Sequence, residues 1–578
     1  MLNKEIQARY QEWLNSPYFD QSVKDELAAL TDEKEIEDRF YCDLEFGTGG
    51  MRGMLGVGTN RMNIYLIRKL TYSFGQMIQD QGEAAMKRGV AIAYDSRRFS
   101  DAFAMETALA LAACGIKAWL FESLRSTPEL SFAVRDTGAI AGVMVTASHN
   151  PKEYNGYKVY WEDGAQLPPE HADKIMEKME HCGWDIPVAA KEQAIADGLL
   201  VIMGKEMDGR YLSCVRQQLL HPEMDQEKGG ELNIVYTPLH GAGRVFVERS
   251  LAENGFSNVF TVPEQAMPDT EFSTVKVPNP EDAGAWELSL KYAKERNADL
   301  LLATDPDSDR LGVQCKNGSG EYQHLTGNQV GAILSYYLMD ALQAAGRLPE
   351  DGIMIQSVVS TALTEKLAES FGVPLVKVPV GFKFIGEQIK KMEESGKGTF
   401  LFGFEESLGY LKGTYARDKD AVLGAMLVAE AALYYKTTAG KTLPEVLEDL
   451  FAKYGYFLDE QVAYTLMGKD GKERIGQIME LLETDDRTKL AGQKIASREY
   501  YGKGKQLKGG ALVDLDFPKV NILGLTFENG GFIKARPSGT EPKIRFYFCV
   551  AGTDRQDAEK KLEQTKKEFF ERIAPDGI

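Results

Sequence analysis

The chain has 578 residues, 43% of them hydrophobic and 26% charged, and a formal net charge of −19. This length predicts about four domains at roughly 150 residues each, and the negative charge argues against a nucleic-acid or anionic-membrane binder. The N-terminus lacks the apolar core of a signal peptide, no uncharged apolar run approaches the ~18–20 residues that span a bilayer, and the six cysteines form no C-x-x-C pair, so we expect a cytoplasmic location.

The N-terminal part of the chain predicts helices followed by alternating strands and helices. The first 40 residues carry Leu, Trp and Phe at helical spacing among charged residues, which indicates a helical arm. Strand-like runs at 89–94 and 117–121 then flank a helix-like run at 101–114. This rhythm predicts βαβ units and a mostly parallel sheet.

A serine loop follows the next predicted strand, at 140–145. Thr-Ala-Ser-His-Asn-Pro at 146–151 places Ser148 where a substrate can reach it. His149 beside it would suit a serine hydrolase, but adjacent side chains at an extended strand end point apart, and G-x-S-x-G is absent. We therefore interpret His149 as a loop residue that contacts the backbone or a ligand.

The segment after the serine loop contains a turn signal and a lysine. Pro151 and the pair Asn155-Gly156 predict a break in regular structure and a tight loop. Lys158 fits two roles. It could return to the serine loop as an acid or base with a lowered pKa, or it could be a solvated lysine on an edge strand.

An acidic loop follows the short buried strand predicted at 300–302. Asp305, Asp307 and Asp309 stand at positions i, i+2 and i+4, and carboxylates on one tight loop can converge on a hard divalent cation. Magnesium fits better than zinc because no Cys or His is interleaved. The alternative is an acidic surface turn with Arg310 as its partner.

A second acidic loop follows the strand predicted at 400–402. Glu405 and Ser407 combine a carboxylate with a hydroxyl, the usual means of holding vicinal sugar hydroxyls. The alternative is a helix N-terminus with favourable acidic residues. Arg417 and Lys419 supply cations close by in the sequence.

The end of the chain predicts a smaller α+β domain. Strand-like runs at 522–527 and 532–536 flank a turn and indicate a hairpin. The run at 544–550 alternates as a half-exposed strand does, and a helix capped by Thr553 follows.

Two glycine-containing loops carry an arginine. Arg536 opens Arg-Pro-Ser-Gly-Thr, where the guanidinium and small hydroxyl residues can bind a phosphate; a hairpin-end turn is the alternative. The loop at 46–53 contains Arg52 where G-x-G-x-x-G would need glycine, so a dinucleotide site is rejected, and no Walker A motif is present at 536–540.

In this order and spacing, the four loops resemble the signature loops of the α-D-phosphohexomutases: T-A-S-H-N-P, D-P-D-S-D-R, G-F-E-E-S and R-P-S-G-T-E-P. The resemblance spans about 46–550, and N-G-Y-K-V-Y-W-E-D-G-A-Q looks closest to the bacterial phosphoglucomutase branch. It implies an α/β fold of four domains around a central cleft, three of them related and mixed α/β and the last a smaller α+β domain. We place these domains at 1–205, 206–318, 319–455 and 456–578.

The resemblance also implies roles for individual residues. Ser148 would carry the phosphoryl group, and Asp305, Asp307 and Asp309 would bind Mg²⁺ together with an oxygen of phosphorylated Ser148. Arg52 and Lys158 would lie near the transferred group and Lys419 near the opposite side, with the general acid–base open between the two lysines. The implied substrate contacts are His149, Arg310, Gly381, Phe382, Lys383, Glu405, Ser407, Arg417, Arg536, Ser538, Gly539 and Thr540.

The implied activity is the interconversion of α-D-glucose 1-phosphate and glucose 6-phosphate through glucose 1,6-bisphosphate, with a small sugar phosphate as the binding partner and the protein a monomer or homodimer. Phosphopentomutase, phosphomannomutase and sugar-bisphosphate synthase activities are alternatives in the same family. A non-catalytic sugar-phosphate sensor is a further alternative, against which the intact Ser148 and the aspartates argue.

Overall fold

The predicted N-terminal arm is helical and consists of α1 (Lys4–Asn15), α2 (Gln21–Ala28) and α3 (Glu33–Phe40). Helix α1 begins where the Asn3 side chain accepts the Glu5 N–H at 3.1 Å. Trp13 is fully buried and stacks on Phe19, with ring centroids 4.2 Å apart. Its ring also meets that of Tyr65, at 5.9 Å, so aromatic packing attaches the arm to the region that follows.

The computed structural model describes residues 3–47, 50–466, 468–538 and 543–574. The chain divides into two units, which we call the first unit (Met1–Gln314 with Gly409–Leu433) and the second unit (Cys315–Leu408 with Tyr434–Ile578). Among the described residues, no helix has both the length and the apolar character needed to cross a bilayer.

The first α/β region lies in the first unit. Its elements are β1 (Met51–Met54), α4 (Ile64–Gln79), α5 (Glu83–Arg88), β2 (Val90–Tyr94), α6 (Ser100–Ala113), β3 (Ala118–Phe121), α7 (Thr127–Thr137), β4 (Ala141–Val145), β5 (Tyr154–Trp161), α8 (Pro169–Glu180), α9 (Lys191–Ala196) and β6 (Leu200–Met203). The strands lie in the order β1-β5-β4-β2-β3-β6. β4, β2, β3 and β6 run parallel and β5 runs antiparallel to β4. Every residue of β4 is buried, as expected of a strand covered on both faces.

The second α/β region consists mainly of first-unit residues. Its elements are α10 (Lys205–Arg216), α11 (Pro222–Lys228), β7 (Ile234–Thr237), α12 (Gly243–Glu253), β8 (Val259–Thr261), α13 (Pro263–Ala266), α14 (Glu287–Arg296), β9 (Leu300–Thr304) and β10 (Leu311–Lys316). The strands lie in the order β10-β9-β7-β8, and β7 runs parallel to both β8 and β9. β9 is entirely buried, and the chain leaves its carboxyl end at Asp305.

The third region follows the same pattern. After β11 (Tyr322–Leu325), which is not a strand of its sheet, its elements are α15 (Gly327–Ala344), β12 (Gly352–Ser357), α16 (Leu363–Phe371), β13 (Leu375–Val378), α17 (Phe382–Ser395), β14 (Thr399–Glu405), β15 (Gly409–Leu411), α18 (Ala421–Ala439) and α19 (Leu443–Tyr454). In the second unit, β12 runs parallel to β13 and to β14. A capping box between Thr326 and Gln329 starts α15.

The C-terminal region is an antiparallel sheet with helices. Its elements are β16 (Tyr456–Thr465), α20 (Gly468–Glu483), β17 (Lys489–Leu490), β18 (Gln493–Tyr500), β19 (Lys505–Lys508), β20 (Ala511–Asp514), β21 (Leu523–Phe527), β22 (Phe532–Pro537), β23 (Lys543–Gly552) and α21 (Arg555–Ile573). The strands lie in the order β16-β23-β22-β21-β18-β19-β20. Phe546 and Phe548 of β23 meet Phe569 of α21 edge to face. Mixed α/β regions followed by a smaller α+β domain confirm the predicted fold class.

Two local predictions are wrong. Asn155 and Gly156 do not form a tight loop but lie inside β5, where a Cβ on Gly156 would be 2.5 Å from the Thr146 carbonyl oxygen and 2.7 Å from that of Met51. Glycine is therefore needed for the close approach of neighbouring strands. Helix α21 is capped by Asp554, whose carboxylate accepts the Asp557 N–H at 2.9 Å, and not by the preceding threonine, Thr553.

The structure also decides between the alternatives for two segments, the one that contains Lys158 and the one that contains Glu405. β5 lies between β1 and β4, so Lys158 is not on an edge strand, and it is 2% exposed. Glu405 ends β14 and the chain turns directly into β15, so the alternative of a helix N-terminus at this loop is wrong.

Candidate active site

Ser148 lies in the loop that leaves the carboxyl end of β4. It is 2% exposed, and its backbone is left-handed, with φ 51°. Its N–H donates to Thr146 Oγ1 at 2.7 Å, and its hydroxyl donates to Asp305 Oδ2 at 2.7 Å. The serine loop and the acidic loop, 157 residues apart in the chain, therefore meet at this hydroxyl.

The carboxylates of Asp305, Asp307 and Asp309 converge as predicted. Each offers an oxygen within 4.8 Å of the others, and all three side chains are buried. The turn is closed by Asp305 Oδ1, which accepts the backbone N–H groups of Asp309 and Arg310, each at 3.1 Å. Arg310 does not neutralise an exposed acidic turn. Its guanidinium instead lies 3.8 Å from Glu281.

Two lysines from different elements approach these carboxylates. Lys158 Nζ of β5 lies 2.6 Å from Asp307 Oδ2 and 3.3 Å from Asp309 Oδ2. Lys419 Nζ lies 2.8 Å from Asp309 Oδ2. Burial would raise the pKa of Asp309, but Lys419 and Lys158 outweigh it and hold that pKa below its usual value. Both candidates for the acid–base role thus contact the same carboxylate.

Burial and the neighbouring carboxylates raise the pKa of Asp305 well above its usual value. Burial would do the same to Asp307, but Lys158 and the Thr127 hydroxyl outweigh it, so the pKa of Asp307 is lowered. Carboxylates packed closely together acquire different pKa values in this way, because the charge on one disfavours the charge on its neighbour.

The donor set fits a hard divalent cation. The three carboxylates offer only oxygen ligands, as magnesium, calcium and manganese prefer. Asp307 Oδ1 and Asp309 Oδ1 are buried and accept no hydrogen bond. A buried, unsatisfied carboxylate oxygen is costly, and a cation bound by both would remove that cost.

His149 lies beside the serine, and Arg52 lies close enough to His149 to affect its pKa. His149 Nδ1 is 3.2 Å from Ser148 Oγ, so the expectation that the two side chains point apart is wrong: the left-handed backbone of Ser148 turns them together. Burial, together with the nearby Arg310 and Arg52, holds the pKa of His149 well below its usual value. Arg52 itself is exposed on β1 and pairs across the sheet with Gly156 of β5.

Arg417 is buried within its own loop. Its Nη1 donates to the carbonyl oxygens of Thr414 at 2.5 Å and Ala416 at 3.1 Å, and its N–H donates to Ser131 Oγ at 2.8 Å. It is 1% exposed. The guanidinium thus stabilises the loop that carries Lys419.

In the second unit the predicted sugar loops come together. Glu405 Oε1 accepts the Gly381 N–H at 2.6 Å, and Gly381 has φ 125°, a conformation that favours glycine. Phe382 is buried, whereas Lys383 and Ser407 are half-buried. Glu405, at the carboxyl end of β14, is therefore joined to the first turn of α17.

The predicted phosphate loop is described in part. Arg536 is half-buried on β22 and lies directly opposite Arg545 of β23. Like charges opposite each other are destabilising, so an anion between them would be favourable. The Ser538 N–H donates to the Lys543 carbonyl oxygen at 2.7 Å. Gly539 and Thr540 lie outside the described residues.

Two side chains outside the predicted set contact or face predicted site residues. Thr127 Oγ1 donates to Asp307 Oδ2 at 2.8 Å, and Arg545 faces Arg536. The Pro128 that follows Thr127 marks a helix start, and Arg545 follows the phosphate motif closely. The first signal does not specify a partner as distant in the chain as Asp307, and the second does not specify the strand register that places the two arginines opposite each other.

Comparison with protein families gives three matches along the chain. Models described as phosphoglucomutase/phosphomannomutase, alpha/beta/alpha domains I, II and III, match residues 43–184, 209–318 and 326–454. A phosphoglucomutase of Staphylococcus epidermidis is 36% identical over 536 residues, which cover 92% of this chain and 94% of the relative. A phosphoglucomutase of Staphylococcus aureus is 36% identical over 540 residues, with coverage of 92% and 94%.

Solved structures share the fold. Parafusin, a phosphoglucomutase from Paramecium solved in an open form, aligns with a TM-score of 0.69 at 15% identity and covers 92% of this chain and 95% of its own. A phosphoglucomutase/phosphomannomutase family protein from Burkholderia thailandensis aligns with a TM-score of 0.65 at 16% identity, with coverage of 92% and 98%.

Proposed function

Because the chain belongs to the phosphoglucomutase/phosphomannomutase family, we propose that it interconverts α-D-glucose 1-phosphate and glucose 6-phosphate. The observation that carries this proposal is the 2.7 Å hydrogen bond from Ser148 to Asp305, in a buried cluster of three carboxylates and two lysines. Relatives named phosphoglucomutase at 36% identity support glucose as the sugar.

The chemistry is a double phosphoryl transfer. Phosphorylated Ser148 loses its phosphoryl group as the P–Oγ bond breaks and a bond forms to O6 of glucose 1-phosphate. The O6 proton passes to whichever of Lys158 and Lys419 is neutral in that complex. The glucose 1,6-bisphosphate so formed turns round so that its 1-phosphoryl group faces Ser148. The P–O1 bond then breaks as a bond forms to Ser148 Oγ, the lysine gives its proton to O1, and glucose 6-phosphate is left. Each step is reversible, as an isomerase requires.

Charge stabilisation is the main requirement of phosphoryl transfer. When bound by Asp305, Asp307, Asp309 and an oxygen on Ser148, Mg²⁺ would neutralise developing negative charge. The lysine of this pair that stays protonated adds positive charge beside these carboxylates, and Arg52 and Arg310 complete the cationic surroundings.

The second unit supplies binding groups. Glu405, fixed by the Gly381 N–H, and Ser407 would hold sugar hydroxyls, and Phe382 and Lys383 would contact the sugar phosphate. Arg536 with Ser538, Gly539 and Thr540 would hold the phosphate that does not react. Arg417 would act on the substrate indirectly, by fixing the loop that carries Lys419.

Intact mass spectrometry tests the phosphoserine. We expect one added phosphoryl group on the peptide that contains Ser148, lost when the protein is incubated with glucose 1-phosphate and recovered as glucose 1,6-bisphosphate. A protein that turns over substrate without ever carrying this group would contradict the mechanism. Rates on glucose, mannose and ribose 1-phosphates compared side by side test the substrate, and a faster rate on mannose or ribose 1-phosphate would contradict the choice of glucose.

A further inference from the structure

A buried arginine behind the serine loop has no role in the steps above. Arg97 is 2% exposed, and its guanidinium lies inside the curve of the loop that follows β4. It donates hydrogen bonds to four backbone carbonyl oxygens along that loop and at the start of β5. They belong to Ser148, to Asn150 at 2.5 Å, to Pro151 at 2.9 Å and to Tyr154 at 3.0 Å.

Asp95 binds this arginine and is also linked, through Thr146, to the N–H of Ser148. Asp95 Oδ2 lies 3.3 Å from Arg97 Nε, and Oδ1 accepts the Arg97 N–H at 2.9 Å. Asp95 Oδ2 also accepts the Thr146 hydroxyl at 2.6 Å. Because Thr146 Oγ1 in turn accepts the Ser148 N–H at 2.7 Å, both the N–H and the carbonyl of Ser148 are tied to one carboxylate.

This arrangement matches a conformational requirement. Ser148 has φ 51°, a left-handed backbone that is unfavourable for a residue with a side chain and persists only when its surroundings impose it. The left-handed backbone turns the hydroxyl toward Asp305. The hydrogen bonds to the N–H and the carbonyl of Ser148 are the contacts that can impose it.

A lysine could not replace Arg97 here. The planar guanidinium offers five N–H donors in a fixed fork, whereas an ammonium group is a compact point charge on a flexible stem. The Arg97 guanidinium also lies 5.2 Å from the centre of the Phe272 ring, which belongs to the second α/β region. The loop is thus anchored to both α/β regions of the first unit.

We propose that Arg97, fixed by Asp95, is a positioning residue that holds Ser148 in the left-handed conformation needed for phosphoryl transfer. It touches neither substrate nor the reacting oxygen and acts through the backbone of the serine loop. The inference rests on the proposed function for its kinetic consequence, whereas its structural consequence can be measured independently.

The first test compares Arg97→Lys with Arg88→Lys. Arg88 also donates to backbone carbonyls, those of Gly138 at 2.7 Å and Ala139 at 3.2 Å, but these residues precede β4, whereas the serine loop follows it. Each variant is phosphorylated with glucose 1,6-bisphosphate, its phosphoserine is quantified, and the single-turnover transfer to glucose 1-phosphate is measured per mole of phosphoserine. We expect Arg97→Lys to transfer about 10–100-fold more slowly with little change in KM, and Arg88→Lys to match the wild type.

Amide hydrogen exchange supplies a readout that does not depend on activity. In Arg97→Lys we expect exchange in the peptide covering 146–155 to accelerate by at least about tenfold, with peptides of α4 and β2 unchanged. A loss of folded protein would instead accelerate exchange throughout the chain, and would lower active concentration without slowing transfer per mole of phosphoserine.

A second pair of variants covers the case in which Arg97→Lys does not fold. Thr146→Val removes the hydroxyl that links Asp95 to the Ser148 N–H, whereas Thr146→Ser keeps it. We expect Thr146→Val to transfer the phosphoryl group more slowly than the wild type and Thr146→Ser to transfer it at close to the wild-type rate. Wild-type transfer per mole of phosphoserine and wild-type exchange at 146–155 in both Arg97→Lys and Thr146→Val would overturn the inference.

The two proposals fail differently. If the wild-type protein never carries a phosphoryl group on Ser148, the proposed function fails. The exchange measurement then still decides whether Arg97 fixes the loop.

Discussion

The residues proposed to transfer the phosphoryl group and bind the metal, in the first unit, are more completely surrounded by protein than two of the predicted substrate contacts in the second unit. In the first unit Ser148 and Lys158 are each 2% exposed and Asp307 is fully buried, and they are linked by hydrogen bonds and ion pairs. In the second unit Ser407 and Arg536 are half-buried. Groups that perform charge-sensitive chemistry benefit from fixed, dry surroundings, whereas groups that hold a sugar in two orientations need to remain accessible.

The largest expected effect comes from removing the Ser148 hydroxyl in the first unit. Ser148→Ala should lower turnover by at least about 10³-fold, because no other group can store the phosphoryl group in the proposed mechanism. The control is Ser335→Ala, which removes another buried serine hydroxyl, one that donates to a carbonyl of its own helix. Coupled turnover assays check both, and substantial activity in Ser148→Ala would contradict the role of this serine.

The next effect concerns the carboxylates. Asp307→Asn removes one charge and leaves Lys158 without its 2.6 Å ionic partner, so we expect turnover to fall by about 10²-fold and Mg²⁺ to bind at least about tenfold more weakly. Isothermal titration with Mg²⁺ measures the affinity directly. The matched control is Asp80→Asn, at an exposed carboxylate paired with Lys178. Equal Mg²⁺ affinities in both variants would show that Asp307 is not a ligand.

A smaller effect is expected in the second unit. Glu405→Gln keeps the shape of the side chain and an acceptor for the Gly381 N–H but removes the charge, and a hydrogen bond to a charged group contributes about 1.5–3 kcal/mol. We expect kcat/KM to fall by at least about tenfold while phosphorylation of Ser148 by glucose 1,6-bisphosphate reaches completion. Glu406→Gln, at the neighbouring carboxylate that accepts the Ser357 hydroxyl, is the control. Equal losses in the two variants would remove the special role of Glu405.

The sequence predicted several strands, the helices that alternate with them and the loops at strand ends. Buried apolar runs and loops that contain glycine or proline leave a local signal in the sequence. It could not predict what the backbone of Ser148 does. That residue's left-handed conformation brings His149 beside the serine hydroxyl, and it depends on contacts with Arg97. Those contacts are to backbone carbonyls, which carry no residue signature.

Chain topology was the other limit. Asn155 and Gly156 have the composition of a turn, yet they lie in β5 because the neighbouring strands leave room only for glycine. Residues Gly409–Leu433 belong with the first unit although they follow much of the second in sequence. Lys419 thereby reaches Asp309, a pairing that sequence separation gives no reason to expect.

The smallest effect compares the buried lysines of the two units. Lys158 faces carboxylates, whereas Lys534 of β22 is 3% exposed and donates to the Val358 carbonyl oxygen at 2.7 Å. Burial, reinforced by Lys377, lowers the pKa of Lys534 to about 8. The unfolded chain, with an ordinary lysine pKa, therefore binds more protons between about pH 8 and 10.4, and this group makes the folded state more stable as the pH rises through that window.

Lys534→Met should remove this dependence. At pH 7 the variant avoids the cost of a buried charge and loses one hydrogen bond, so we expect its midpoint of thermal unfolding to exceed that of the wild type by a few degrees, at about 2–4 °C per kcal/mol. The difference should shrink toward pH 10, where Lys534 is neutral in the folded state. Lys505→Met, at an exposed lysine paired with Asp514, controls for the loss of one positive charge. A difference in unfolding midpoint that stays constant from pH 7 to 10 would show that Lys534 is charged when folded, held by the Val358 carbonyl and by the Phe532 ring, whose centre lies 4.0 Å from Nζ.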